Sequence, residues 1–131
     1  MMTMRGNAGF TLIELLLVVT IIGILAAMVV PNLSGRAREA RITAAKGDIT
    51  TIGNALDRYE LRHGEYPKSL DPLVFGDGKF KYLKGNKRPL DPWDNEYVYL
   101  CPGKNNKDGY DLCSRGPDGT QGGGDDITSW D

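Results

Sequence analysis

Two stretches of this 131-residue chain carry residue types that could do chemistry. The first surrounds Glu14, a carboxylate inside the apolar run "GFTLIELLLVVTIIGILAAMVVPN" at 9–32. A charge at that depth in a bilayer costs about 3 kcal/mol or more, so it calls for a partner. The second is "SRGPDGTQGGGDDITSW" at 114–130, where Asp118, Asp125 and Asp126 stand around a glycine-rich backbone whose carbonyls are free to turn inward. Hard cations such as Ca²⁺ take about six to eight oxygen ligands, from carboxylates and carbonyls. The spacing is not that of an EF-hand, and on composition alone a solvated acidic turn is the stronger reading. Cys101 and Cys113 form a C-x₁₁-C pair without further Cys or paired His, which is not a zinc site. His63 is the only histidine and reads as a helix-end cap, with no Ser–His–Asp or Cys–His arrangement around it. No enzyme is expected.

The elements that must position these residues follow from periodicity. No charged residue occurs from Leu15 to Gly35, and counting from Phe10 the apolar stretch is just long enough to cross a bilayer as a helix. Beyond Pro31, Ile42, Ala45, Ile49, Ile52, Leu56 and Tyr59 recur at spacings of three and four with charges between them. That is one amphipathic stripe. A single helix from about Phe10 to about Arg62 is expected, roughly 80 Å long at 1.5 Å per residue. Pro31 should bend it or melt it locally, and Gly64 should end it, with Arg62 and His63 suiting the negative end of the dipole. Its C-terminal half packs on its own small domain, while its N-terminal half has no partner within the chain. The stretch 64–75 reads as turn and irregular loop. The alternation of Tyr97, Tyr99 and Cys101 with Val98 and Leu100 reads as a strand, "KNNKDG" at 104–109 as a hairpin turn, and "YDLCS" at 110–114 as the returning strand. If that turn centres near Lys107, the two cysteines share a face. A disulfide and two small buried thiols both remain open. With 16 Lys+Arg against 17 Asp+Glu, the charge balance gives no argument for nucleic acid.

The apolar segment admits three readings. A cleaved secretory signal would end at the small residues Ala26 and Ala27. A plain membrane anchor would use "RAREAR" as its basic flank, although the positive-inside rule then argues for the opposite orientation. Neither accounts for Glu14. The third reading does: "GFTLIE" at 9–14, followed by an apolar helix and Pro31, resembles the N-terminus of type IV pilins and type II secretion pseudopilins. The resemblance implies cleavage by a prepilin peptidase after Gly9 and methylation of the new amino terminus at Phe10. It also implies that Glu14 is an assembly residue, meeting the amino terminus of a neighbouring subunit. A free amine and a carboxylate desolvated together offset each other, whereas either alone is costly.

The resemblance runs in order through nearly the whole chain: "GFTLIE", Pro31, "GEYP", "DPW", "GPDG" and "DDI…W" are similar to the major pseudopilins, the general secretion pathway protein G family. It implies an α+β fold, a long pilin-like N-terminal α-helix with a hydrophobic first half on a small C-terminal antiparallel β-sheet with a calcium-binding loop. The implied parts are a leader at 1–9, a transmembrane and filament-core helix at 10–31, an amphipathic helix at 32–63 and a sheet-and-loop region at 64–131. It further implies calcium held by Asp118, Asp125 and Asp126 with carbonyls placed at Arg115, Thr120 and Gly123. The implied protein is a subunit of a periplasmic filament that starts in the bacterial inner membrane as a single-pass precursor in contact with its lipid. The filament would be a homopolymer working with minor pseudopilins, an inner-membrane platform and its ATPase to move folded proteins across the outer membrane. The rivals are a type IV pilin of a surface fibre and a membrane-anchored calcium-binding module that never polymerises.

Overall fold

The computed structural model describes residues 9–76 and 78–131, and for residues 30–33 the backbone alone. The leader positions 1–8 thus lie outside the described residues. Helix α1 runs Leu12–His63. It begins two residues later than expected because Thr11 and Glu14 build a capping box. Glu14 N–H donates to Thr11 Oγ1 at 3.3 Å, and Thr11 N–H donates to Glu14 Oε2 at 3.0 Å. It ends as the sequence requires: Gly64 takes φ 81° and its N–H donates to the Glu60 carbonyl at 2.7 Å. His63 closes the last turn, with Nδ1 3.0 Å from the Tyr59 carbonyl and its ring stacked on Tyr59. The helical backbone continues through Pro31 without the expected local melting. The proline forfeits one bond of a long ladder and leaves its neighbours in place.

The chain divides into two compact units, up to Arg38 and from Glu39 onward. In the second, Ala45, Ile49, Ile52, Ala55 and Leu56 of α1 are buried against Leu73, Tyr97, Leu112 and Ile127. Ile42 and Tyr59 pack at the margin of this core, so the stripe read from the sequence is the packed face. Leu73 belongs to α2, Asp71–Phe75, a short helix where irregular loop was expected. Pro72 opens it, and the Leu73 carbonyl accepts from Tyr82 N–H and Leu83 N–H at 3.1 and 2.9 Å, tethering the following loop. The Arg88 guanidinium forks onto the Asp71 carboxylate at 2.6 and 2.9 Å.

Three strands form one antiparallel sheet in the order β1–β2–β3: β1 Val98–Leu100, β2 Asp111–Ser114 and β3 Ile127–Thr128. The tyrosines of the first predicted strand anchor it to the rest of the domain. Tyr97 Oη donates to Asp48 Oδ2 at 2.9 Å and Tyr99 Oη to the Pro67 carbonyl at 2.7 Å. The register, Val98 opposite Cys113 and Leu100 opposite Asp111, corrects the expectation for the cysteines. Extended by one residue it sets Cys101 against Tyr110, so the turn centres between Asn105 and Asn106 rather than at Lys107. Cys101 and Cys113 are therefore offset by three positions and are free thiols. Cys113 is buried, which pushes its thiol pKa up.

Asp111 sets that turn. Its buried carboxylate accepts from the N–H groups of Lys104, Asn105 and Asn106 at 2.8, 2.9 and 3.0 Å, and from the Asn105 amide. Desolvation is the largest single influence on this carboxyl and raises its pKa, but the donors together outweigh it and hold it below the usual carboxylate value. A depressed carboxyl contributes stability above its unfolded pKa, and that contribution is lost as pH falls through the folded pKa. Asp111→Ala should therefore cost about 2–3 kcal/mol at pH 7. The gap from the parent should narrow below about pH 4, which denaturant midpoints at several pH values would read.

Candidate functional site

The first candidate region is the head of α1. Between Leu12 and Val29 the only polar side chains are Glu14 and Thr20. Both have partners on their own helix: Thr20 Oγ1 donates to the Leu16 carbonyl at 2.7 Å, and Glu14 closes the capping box. The surrounding apolar side chains are uncovered, with Phe10 85 % and Leu12 87 % exposed. The helix contains an 18-residue window of mean hydropathy 2.8, none of it buried within the chain. Length and composition suit a membrane-crossing helix. Gly9 has open space around it, and Phe10 follows as an exposed residue. The capping bond gives one Glu14 oxygen a donor but brings no positive charge, so the electrostatic demand of this carboxylate stays open.

The second region is the loop between β2 and β3. Asp118 folds the start of it: Oδ1 accepts from Thr120 N–H and Oδ2 from Thr120 Oγ1, each at 2.8 Å. The Thr120 backbone donor and then its hydroxyl hold the Asp118 carboxyl below the usual carboxylate range. Asp118 N–H in turn donates to Asp125 Oδ2 at 3.3 Å, and Gly122 N–H donates to Asp126 Oδ2 at 2.7 Å. The other oxygens, Asp125 Oδ1 and Asp126 Oδ1, are buried and have no hydrogen-bond donor. Asp118 and Asp125 converge on the backbone of Gly123, where a Cβ would collide with Asp118 Oδ2 and come within 3.0 Å of Asp125 Oδ1.

Orphaned carboxylate oxygens are costly in a folded loop and call for a positive charge. The donor set is all oxygen, which fits a hard cation. Among the described residues no three acidic, His or Cys side chains gather closely enough to form a metal cluster by themselves. Backbone carbonyls would have to complete the shell. Of the three expected carbonyl positions, Thr120 is bonded to Asp118 and Gly123 lies beside the Asp118 and Asp125 carboxylates. Arg115, the third, is an exposed residue directly after β2.

One polar node escaped the sequence reading. Asp91, only 3 % exposed, accepts from Trp93 N–H and Asn95 N–H through Oδ1 at 3.0 and 2.8 Å. Its Oδ2 accepts from Ser114 Oγ at 2.6 Å, and Ser114 Oγ accepts from Gly116 N–H at 3.2 Å. The "DPWDN" turn is thereby tied to the end of β2 and to the entrance of the acidic loop. The available signal was the aspartate opening a D-P-x-D-N turn, a residue type that bonds its own backbone a few residues on.

A long N-terminal helix with an uncovered apolar first half and a small antiparallel sheet on its second half defines a pilin-like subunit. Comparison with known proteins makes the family specific. Residues 4–30 match the family described as the prokaryotic N-terminal methylation motif, and residues 32–130 match type II secretion system (T2SS) protein G. The chain is 47 % identical to the type II secretion system core protein G of Pseudomonas aeruginosa, over 99 % of both chains. It is 43 % identical to that of Escherichia coli, covering 93 % of this chain and 90 % of the relative, and 41 % identical to that of Vibrio cholerae, covering 99 % and 96 %. The crystal structure of the major pseudopilin from the type 2 secretion system of enterohaemorrhagic Escherichia coli superposes with a TM-score of 0.58 at 33 % identity, covering 78 % of this chain and 96 % of that one. The chain belongs to the type II secretion system protein G family, whose members are structural subunits and not enzymes.

Ser114→Ala removes the donor that satisfies Asp91 Oδ2 and leaves a buried carboxylate oxygen short of a partner. The expected loss is about 1–3 kcal/mol, read as a lower denaturant midpoint. An unchanged midpoint would show that the node carries no stability.

Proposed function

We propose that this protein is a structural subunit of the pseudopilus of type II secretion. It polymerises through α1 into a periplasmic filament that pushes folded proteins across the outer membrane. The observation that carries this reading is the N-terminal half of α1, apolar on every face, uncovered by its own chain, and charged only at Glu14. Before assembly the segment 10–31 spans the inner membrane with the folded domain in the periplasm. A prepilin peptidase cuts after Gly9 and Phe10 is methylated. In the filament Glu14 meets the released amine of a neighbouring copy, a pairing satisfied only at one stagger, so it sets register between subunits. Minor pseudopilins, an inner-membrane platform and its ATPase are the partners that this role requires.

Intact mass and N-terminal sequencing of the membrane-purified protein test the first step. The expected chain begins at Phe10 and is heavier by one methyl group; one that retains Met1 or begins near Ala27 would remove the amine that Glu14 needs. Glu14→Gln separates the two roles of that side chain, since glutamine still closes a capping box but carries no charge. The variant should enter the membrane and be processed normally yet form no filaments, as seen by electron microscopy. Filaments at the parental level would dismiss the pairing.

The acidic loop is proposed to hold Ca²⁺ through Asp118, Asp125 and Asp126, with carbonyls of Arg115, Thr120 and Gly123. The orphaned oxygens of Asp125 and Asp126 support this reading. At a hundredfold excess over its dissociation constant the cation should stabilise the full-length chain in detergent by about 2.7 kcal/mol. Asp118→Ala should abolish the calcium-dependent rise in melting temperature. A parent protein that melts identically with calcium and with chelator would sink the site.

A further inference from the structure

The charge-free stretch of α1 ends abruptly. After Gly35 the sequence places Arg36, Arg38 and Arg41 within six residues, against a single acid, Glu39. All three arginines are exposed. Three arginines of the folded domain help to hold the fold. Arg58 donates to the Tyr82 carbonyl at 2.8 Å, Arg62 lies 3.5 Å over the Phe80 ring, and Arg88 grips Asp71. Arg36, Arg38 and Arg41 make no such contact among the described residues. Three free guanidinium groups at the edge of an apolar helix are an unused binding capacity.

Their position says what they can reach. Phe10 to Val29 is twenty residues, about 30 Å of helix, which matches the hydrocarbon thickness of a bilayer. Arg36 lies seven residues beyond Val29, roughly 10 Å along the axis. Helical side chains lean toward the helix N-terminus, here back toward the apolar segment, and a long arginine stem spans most of that remaining gap. Arg36 and Arg38 project roughly 200° apart around the axis, on nearly opposite sides. A lipid headgroup layer surrounds a membrane helix and so reaches both sides at once. Guanidinium groups bind phosphate oxygens in a bidentate fork, and basic residues just outside a membrane helix are attracted to anionic lipid.

We infer that Arg36 and Arg38 form a collar that binds the phosphate groups of anionic phospholipid on the leaflet facing the folded domain. This rests on the membrane-spanning reading of the apolar segment. The collar holds the unassembled subunit at a fixed depth in the bilayer. Entry into a filament exchanges these lipid phosphates for other partners, so the collar stabilises the membrane-held state relative to the assembled one.

The test uses the full-length processed chain in nanodiscs made from an equimolar mixture of phosphatidylglycerol and phosphatidylcholine. Native mass spectrometry of the released protein counts each lipid that stays bound. The expected result is a clear preference for phosphatidylglycerol, reduced about tenfold in the double variant Arg36→Gln/Arg38→Gln and kept in the control Arg62→Gln. Equal retention of both lipids by the parent chain, or an unchanged preference in the double variant, would overturn the collar. If the double variant keeps its lipid preference but no longer forms filaments, the arginines face another copy of the chain and the lipid assignment falls. A chain that does not enter nanodiscs at all would instead refute the membrane-spanning segment.

Discussion

Everything in this molecule follows from an apolar half-helix that its own chain does not cover. Fourteen large apolar side chains between Phe10 and Val29 lie exposed. Burying them is worth on the order of 20 kcal/mol at ordinary transfer values, more than the whole net stability of a typical small domain. An isolated chain in water is therefore not a state the protein can occupy at useful concentrations. Lipid and other copies of the same helix both satisfy the demand, and they do so almost equally, because lipid tails are as apolar as leucine. The hydrophobic effect forces α1 out of water but decides little between bilayer and filament.

That near-indifference gives the few polar groups on the segment their leverage. Thr20 is satisfied by the Leu16 carbonyl and favours neither environment. Glu14 differs, because its capping bond to Thr11 answers a hydrogen-bond requirement and leaves the charge unanswered. In lipid that charge is a standing cost of about 3 kcal/mol or more. A cation at the right height on a neighbouring helix relieves it, and the neighbour's amino terminus is the group this family's processing would supply. The capping box also limits where the carboxylate can go. With Thr11 N–H holding one oxygen, the side chain is folded back over the first turn and presents its charge at the end of the helix. A single carboxylate can thus bias an equilibrium that the many leucines leave balanced.

The helix was legible because its signals are long and redundant. The stripe from Ile42 to Tyr59 spans several turns, and the end is marked twice, by the Gly64 terminator and by the basic last turn of Arg62 and His63. The same reasoning missed α2 because five residues carry less than two turns of periodicity, and it missed β3 because Ile127–Thr128 offers no alternation to read. The hairpin was found but its centre was left open. A shared face for the cysteines required a centre near Lys107, whereas Asp111 gathers the N–H groups of residues 104–106 and sets the centre closer to the first strand. One side chain five to seven residues further on makes that choice, and of the two open readings for the cysteines it leaves the free thiols. The turn around Asp91 had a local signal, but its bond to Ser114 did not, because that partner lies twenty-three residues away.

Strand β3 and the acidic loop are one problem for the fold. Ile127 is buried in the core, and Asp125 and Asp126 come directly before it. A two-residue edge strand has few ladder bonds of its own. Its far end is held by Ser129, which exchanges bonds with Leu112 at 2.9 and 3.1 Å, and its near end by the way the loop delivers it. From one side the loop is fixed by Ser114, which links Asp91 to Gly116 N–H. On the other, its carboxylates include two that keep buried oxygens without donors. Like charges so close would push Asp118 and Asp125 apart and draw β3 off the sheet, while a cation between them would reverse the sign of that force. The chemistry of the loop and the closing of the core at Ile127 would then be governed by the same charge, so a ligand at the surface could decide whether the last strand stays in place.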